Sequence, residues 1–213
     1  MAINLKKNEG INLKKTGTNE GLNKITLGLG WKSGRKIINK KSQGLLGKLL
    51  GKAEEFTESI NNRDIDLDSA IVVYKDNNYI NTCYYGNKQI TIDGNKIIYH
   101  HGDDTTGHNK MTNKDNEQIE VFLSNVNTNK VNRLYLIMNV FSSGVTLEEV
   151  RDAYINVYDE KGEVLAVYNL SEDYKNKNGV LIGKVVYDES EGWKFIANGE
   201  GCNISNIEQF RII

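Results

Sequence analysis

The apolar residues of this chain come in short runs, and turn-forming residues interrupt every one of them. Ile25-Thr26-Leu27-Gly28-Leu29-Gly30-Trp31 is the first clear run. Ala70 to Tyr74, Tyr79 to Tyr85, Ile90 to Ile92 and Lys96 to His100 follow. Further on come Glu117 to Leu123, Arg133 to Phe141, Ala153 to Tyr158, Val164 to Tyr168, Leu181 to Tyr187 and Gly192 to Asn198. All are rich in Val, Ile, Tyr and Thr, whose branched or flat side chains suit a pleated backbone. Between them, Asp76-Asn77-Asn78, Asp93-Gly94-Asn95 and Glu160-Lys161-Gly162 supply the left-handed angles of tight hairpins. A parallel sheet needs a crossover of about a dozen residues or more after most strands, and these intervals leave no room for it. The pattern therefore predicts an all-β protein, an antiparallel sandwich or barrel.

Two segments read as helical. Thr146-Leu147-Glu148-Glu149-Val150-Arg151 has an N-cap residue followed by acids in its first turn. In Ser42 to Phe56, the residues Leu45, Leu46, Leu49, Leu50, Ala53 and Phe56 share one helical face. Gly44, Gly47 and Gly51 weaken that helix unless its apolar face docks. A short echo, Ile3-Asn4-Leu5-Lys6-Lys7 and Ile11-Asn12-Leu13-Lys14-Lys15, reads as two edge strands around a turn at Asn8-Glu9-Gly10.

The 213 residues suffice for a real core, and the 2 cysteines, Cys83 and Cys202, form no disulfide framework, so both are expected as reduced, buried thiols. With no proline, Pro-rich linkers are excluded, and no run approaches the roughly 20 apolar residues of a membrane span. The first residues lack a secretory signal's apolar run, so a cytoplasmic location is expected.

Candidate chemistry lies in the acids. No Ser or Cys occupies a recognisable nucleophile elbow. His100, His101 and Cys83 match no zinc spacing, and the histidines are expected to be solvated in loops. Gly28-Leu29-Gly30 lacks the third glycine and following helix of a dinucleotide cradle. Asp64-Ile65-Asp66-Leu67-Asp68 in an extended chain puts three carboxylates on one face, and the usual remedy for their repulsion is a cation. The spacing opens like an EF-hand, but Ser69 and Lys75 stand where that loop requires Gly and Glu. Downstream, Gly102-Asp103-Asp104-Thr105-Thr106-Gly107-His108-Asn109 is a polar loop, and Asp115-Asn116-Glu117 follows at the mouth of the next strand. Such hard oxygen donors favour Ca²⁺ over Zn²⁺ or Cu²⁺, yet the same residue types also populate solvated turns.

These motifs, taken in order, resemble the TerD family of tellurium-resistance and bacterial stress proteins. The resemblance is carried by Ile11 to Lys15, Ile25 to Trp31, Ile65 to Ala70, Gly102 to Gly107, Asp115 to Glu117, Val150 to Ile155, Tyr168 to Asp173 and Gly192 to Phe195. It implies one domain over residues 1–213, built as an antiparallel β-sandwich of two sheets with a few short helices. It also implies a non-enzymatic, calcium-binding stress-response role. The ligand set so implied is Asp66, Asp68, Asp103, Asp104, Asp115, Asn116 and Glu117, with the Gly107 carbonyl and the side chains of Thr106 or Asn109. Asp104 stands where the family usually has Asn, and His108 to Lys114 replaces a Gly-rich acidic stretch, which leaves the number of ions open.

Where the family has a short loop, residues 32 to about 60 form an insertion. Residues 32–52 hold 7 basic side chains and no acid. It is expected either to cap the sandwich with its leucines or to meet an anionic membrane surface or other stress-operon proteins through residues 32–58. The latter would place the protein at the inner face of the membrane. The formal net charge of −1 conceals this separation: residues 1–52 carry 12 basic and 2 acidic side chains, and the remainder 15 and 26. No nucleic-acid partner is expected.

Overall fold

Fifteen strands and two short 3-10 turns make up the computed structural model, which describes residues 2–40, 56–61, 64–107, 115–170 and 174–212. One sheet of seven strands runs in the spatial order β1 (Ile3–Leu5), β13 (Val164–Asn169), β12 (Arg151–Tyr158), β3 (Ile25–Lys32), β10 (Glu117–Val121), β9 (Asn95–His100) and β8 (Gln89–Ile92). A second, of six, runs β2 (Gly10–Asn12), β15 (Gly192–Cys202), β14 (Gly179–Asp188), β11 (Arg133–Val140), β6 (Leu67–Lys75) and β7 (Asn78–Cys83). Among the described residues every strand pairing is antiparallel except β1 on β13. The fold is an all-β sandwich, and the two halves of the N-terminal echo are edge strands, one on each sheet.

Alternation decides what lies between the sheets. On β6, Leu67, Ile71 and Val73 join the main core with Leu27, Leu29 and Trp31 of β3 and with Leu134, Leu136 and Met138 of β11. The intervening Ala70, Val72 and Tyr74 face the other way, with Ile137, and are covered by Ile204 and Ile207. Residues 203–212 therefore strap the outer face of the second sheet. Asn178 ties down their start by hydrogen bonds to both the N–H and the carbonyl of Ile204, and the Tyr74 hydroxyl does the same at Ile212.

Two local expectations need correction. The segment from Thr146 shrinks to a 3-10 turn over Leu147–Glu149; the Thr146 side chain makes no capping bond, and Arg151 already belongs to β12. In the insertion, residues 35–40 form β4 (Arg35–Lys40), paired with β5 (Phe56–Asn61) in a separate two-stranded sheet. Ile37 and Ile38 favour that extended backbone, and Phe56 opens a strand instead of ending a helix. The leucine-rich stretch 42–55 lies outside the described residues. No helix among the described residues is long and apolar enough to cross a membrane.

Candidate metal centre

Asp66 and Asp68 stand at the entry to β6, and Asp103 in the loop after β9 reaches them: one oxygen from each lies within 4.8 Å of the others. The approach to β6 is fixed by backbone contacts. The Asp66 N–H donates to Ser142 Oγ at 3.0 Å, and the Phe141 N–H donates to the Asp66 carbonyl at 2.9 Å. Next to it, the buried indole of Trp31 donates to the Ile65 carbonyl at 3.0 Å. Asp66 Oδ1 and Asp68 Oδ2 are buried without a hydrogen-bond partner. Burial, and then the neighbouring acids, push the Asp68 carboxyl up to about 7 and raise that of Asp66.

The other acids of the motif do different work. Asp104 Oδ1 accepts from the Thr106 N–H (2.9 Å), the Thr106 hydroxyl (3.0 Å) and the Gly107 N–H (3.2 Å), while Oδ2 accepts from Asn116 Nδ2 at 3.0 Å. Burial opposes the Asp104 charge, but these bonds outweigh it and hold the carboxyl below its ordinary value. Thr106, Gly107 and Asn116 thus brace the loop that carries Asp103. Gly107 (φ +70°) lies against Trp31, where a Cβ would sit 2.6 Å from the indole nitrogen. Asn116 Oδ1 accepts from the Trp31 N–H at 2.9 Å. Asn109 lies outside the described residues.

Asp115 is turned away from the cluster, over the outer face of the first sheet. Its carboxylate accepts from Asn156 Nδ2 at 3.0 Å and Gln118 Nε2 at 3.2 Å. Burial and then the Asp115 charge raise the Tyr154 phenol to about 12. Here the Gly28-Leu29-Gly30 motif finds its use, because a Cβ on Gly28 would lie 1.9 Å from Asp115 Oδ2 and one on Gly30 would lie 2.2 Å from the Tyr154 ring. Gly28→Ala is expected to destabilise by about 1–3 kcal/mol through this overpacking. A urea midpoint equal to the wild type's would refute that account.

Glu117 points inward. Its Oε2 accepts from both the N–H and the hydroxyl of Ser69, and Ser69 Oγ lies 3.3 Å from His100 Nε2. His100 Nδ1 accepts from the Gly102 N–H at 3.2 Å, so Nε2 carries the proton. His100 is fully buried, which corrects the expectation of a solvated loop histidine; His101 is exposed and pairs with Glu120. Alternation with buried Ile98 on β9 is the signal that places His100 inside. Desolvation dominates both groups, raising Glu117 to about 9 and lowering His100 to about 4. Ser69 and His100 are thus the parts of this corner that motif reading missed.

The TerD domain profile matches residues 1–209, and the chain belongs to the TerD family. Among its relatives, stress response protein SCP2 of Bacillus subtilis (strain 168) is 29% identical over 215 residues, spanning 98% of this chain and 96% of that one. Tellurium resistance protein TerZ of Serratia marcescens is 30% identical over 207 residues, spanning 97% and 93%. The fold is shared with a crystal structure of a homologue of the telluride resistance protein TerD from Streptomyces coelicolor A3(2). That match has a TM-score of 0.56 and 12% identity, and covers 86% of this chain and 92% of that one.

Proposed function

We propose that this protein is a non-enzymatic, calcium-binding stress-response protein whose charged ligands are Asp66, Asp68 and Asp103. The observation that carries this reading is the convergence of three carboxylates, two of which hold buried oxygens without partners. A divalent cation turns that mutual repulsion into attraction and satisfies the orphaned acceptors. The donors are hard oxygens, while the nearby His100 has both nitrogens engaged inside the fold, which favours Ca²⁺ over Zn²⁺. Bound Ca²⁺ would supply a fixed positive charge joining the β6 entry to the loop braced by Asp104, Thr106, Gly107 and Asn116. The names of SCP2 and TerZ support a stress-response role. A non-enzymatic role is supported by Ser69, which lies beside His100: its hydroxyl is buried and given to Glu117.

Calorimetric titration of Ca²⁺ into EDTA-stripped full-length protein is expected to show saturable binding. Asp66→Asn and Asp68→Asn should each weaken it about tenfold or more, and His101→Gln should leave it unchanged. Absence of binding heat together with an unshifted melting curve would sink the proposal.

A second role is proposed for the insertion, because among the described residues β4 and β5 pair as strands only with each other. Residues 32–58 would engage an anionic membrane surface or other stress-operon proteins, at the cytoplasmic face of the membrane. Anionic vesicles should co-sediment the full-length protein at low salt and release a variant with residues 41–55 replaced by a Gly-Ser linker. Equal sedimentation of the two proteins removes this role.

A further inference from the structure

We propose that Asn139 is a neutral oxygen ligand of the cation centre, an inference that rests on the calcium reading above. Asn139 on β11 is the register partner of Asp68 on β6, so the two side chains leave the same face side by side. Opposed residues on neighbouring strands have Cβ atoms about 4.5–5.5 Å apart, within reach of one shared ion. That face is the outer one of the second sheet, since Ala70 and Val72 follow Asp68 at two-residue spacing and Ile137 precedes Asn139 likewise. On its other side Asn139 pairs with Gly179, where a Cβ would meet the Ile204 side chain at 2.6 Å. The strap therefore runs beside Asn139, which is 7% exposed.

Burial makes the amide informative. Asn139 Oδ1 has no hydrogen-bond partner, and neither has Asp68 Oδ2, 3% exposed at its side. Once Asp68 is ionised, as at pH 8, the two neighbouring acceptors cannot satisfy each other, and buried acceptors are seldom left bare. A cation satisfies both at once. A carbonyl donor adds coordination without a fourth negative charge, which suits Ca²⁺ with its six to eight oxygen ligands. Asn139 is also the one polar residue in the otherwise apolar stretch from Leu134 to Phe141 apart from the half-buried Tyr135.

Ca²⁺ alone serves as the probe, titrated calorimetrically into stripped full-length wild type, Asn139→Leu and Asn139→Asp at pH 8. Leucine should weaken binding by about tenfold or more while leaving the metal-free melting temperature equal or higher, because an unpaired buried acceptor is gone. Aspartate keeps an oxygen donor and should bind at least as tightly as wild type. A group that only maintains the fold would lower stability and affinity together. Wild-type affinity in the leucine variant overturns the inference. So does equal loss in both variants, which would assign the effect to the amide N–H₂. Failure of the wild type to bind overturns the calcium reading itself, so the two failures are distinct.

Discussion

Metal-free protein is expected to become less stable as the pH rises from about 5 to 9, and Ca²⁺ should reverse that trend. Asp68 and Glu117 hold their protons in the fold up to about 7 and about 9, whereas the unfolded chain releases them near the ordinary carboxylate values. Below those ordinary values both states are protonated and the stabilisation is complete. Between them and the folded values the unfolded chain binds fewer protons, so stability falls with pH. His100 acts in the opposite sense: its folded value near 4 means that stability is lost as the pH drops below the imidazole's usual 6.5. The two effects partly cancel on the acid side. Above pH 7 Glu117 continues, joined toward pH 9 by the Cys83 thiol, which burial pushes up to about 12, and Glu117→Gln should flatten the profile between about 7 and 8. Cation ligation requires ionised carboxylates, so the gap between calcium-loaded and stripped melting temperatures should widen with pH. A stripped protein whose melting temperature climbs steadily from pH 5 to 9 would contradict this.

Trp31→Ala should have the largest effect of any single substitution at this corner, with a loss of about 3–5 kcal/mol in urea unfolding. The indole is 2% exposed, donates to the Ile65 carbonyl and lies against Gly107, so it joins the two chain segments that bring Asp66 and Asp103 together. Removing it leaves a cavity and frees both segments, so Ca²⁺ affinity should fall with stability. Trp31→Phe keeps most of the volume and loses the N–H donor, for about 1 kcal/mol. If the alanine variant unfolds within 1 kcal/mol of wild type by the same measurement, the indole is not the joint described here.

Strands were legible where alternation and turn residues agreed, as from Lys96 to His100, and a stricter reading of the same alternation buries His100 with Ile98. The insertion was less legible, because two isoleucines among lysines specify little until a partner strand is present. Asp66, Asp68 and Asp103 stood out as acids within their motifs. The fate of Asp115 to Glu117 did not, for a geometric reason. The chain bends at Asn116, whose N–H donates to the Leu29 carbonyl at 2.7 Å, so parity along the strand fails there. Asp115 goes to Gly28 outside and Glu117 to Ser69 inside. Asn139 escaped because its meaning depends on Asp68, 71 positions earlier and adjacent only in register.

The strand order sets a timetable for synthesis. β1 and β2, the first strands made, find their partners in β13 and β15, near the other end of the chain, and β3 waits for β10 and β12. No nascent fragment ending before about residue 200 can close both sheets, so early apolar strands emerge from the ribosome before anything exists to cover them. Such long-range closure makes folding slow and leaves the unfinished chain open to aggregation. The apolar strands are therefore most exposed while the chain is being made, before there is any rim at which to bind an ion.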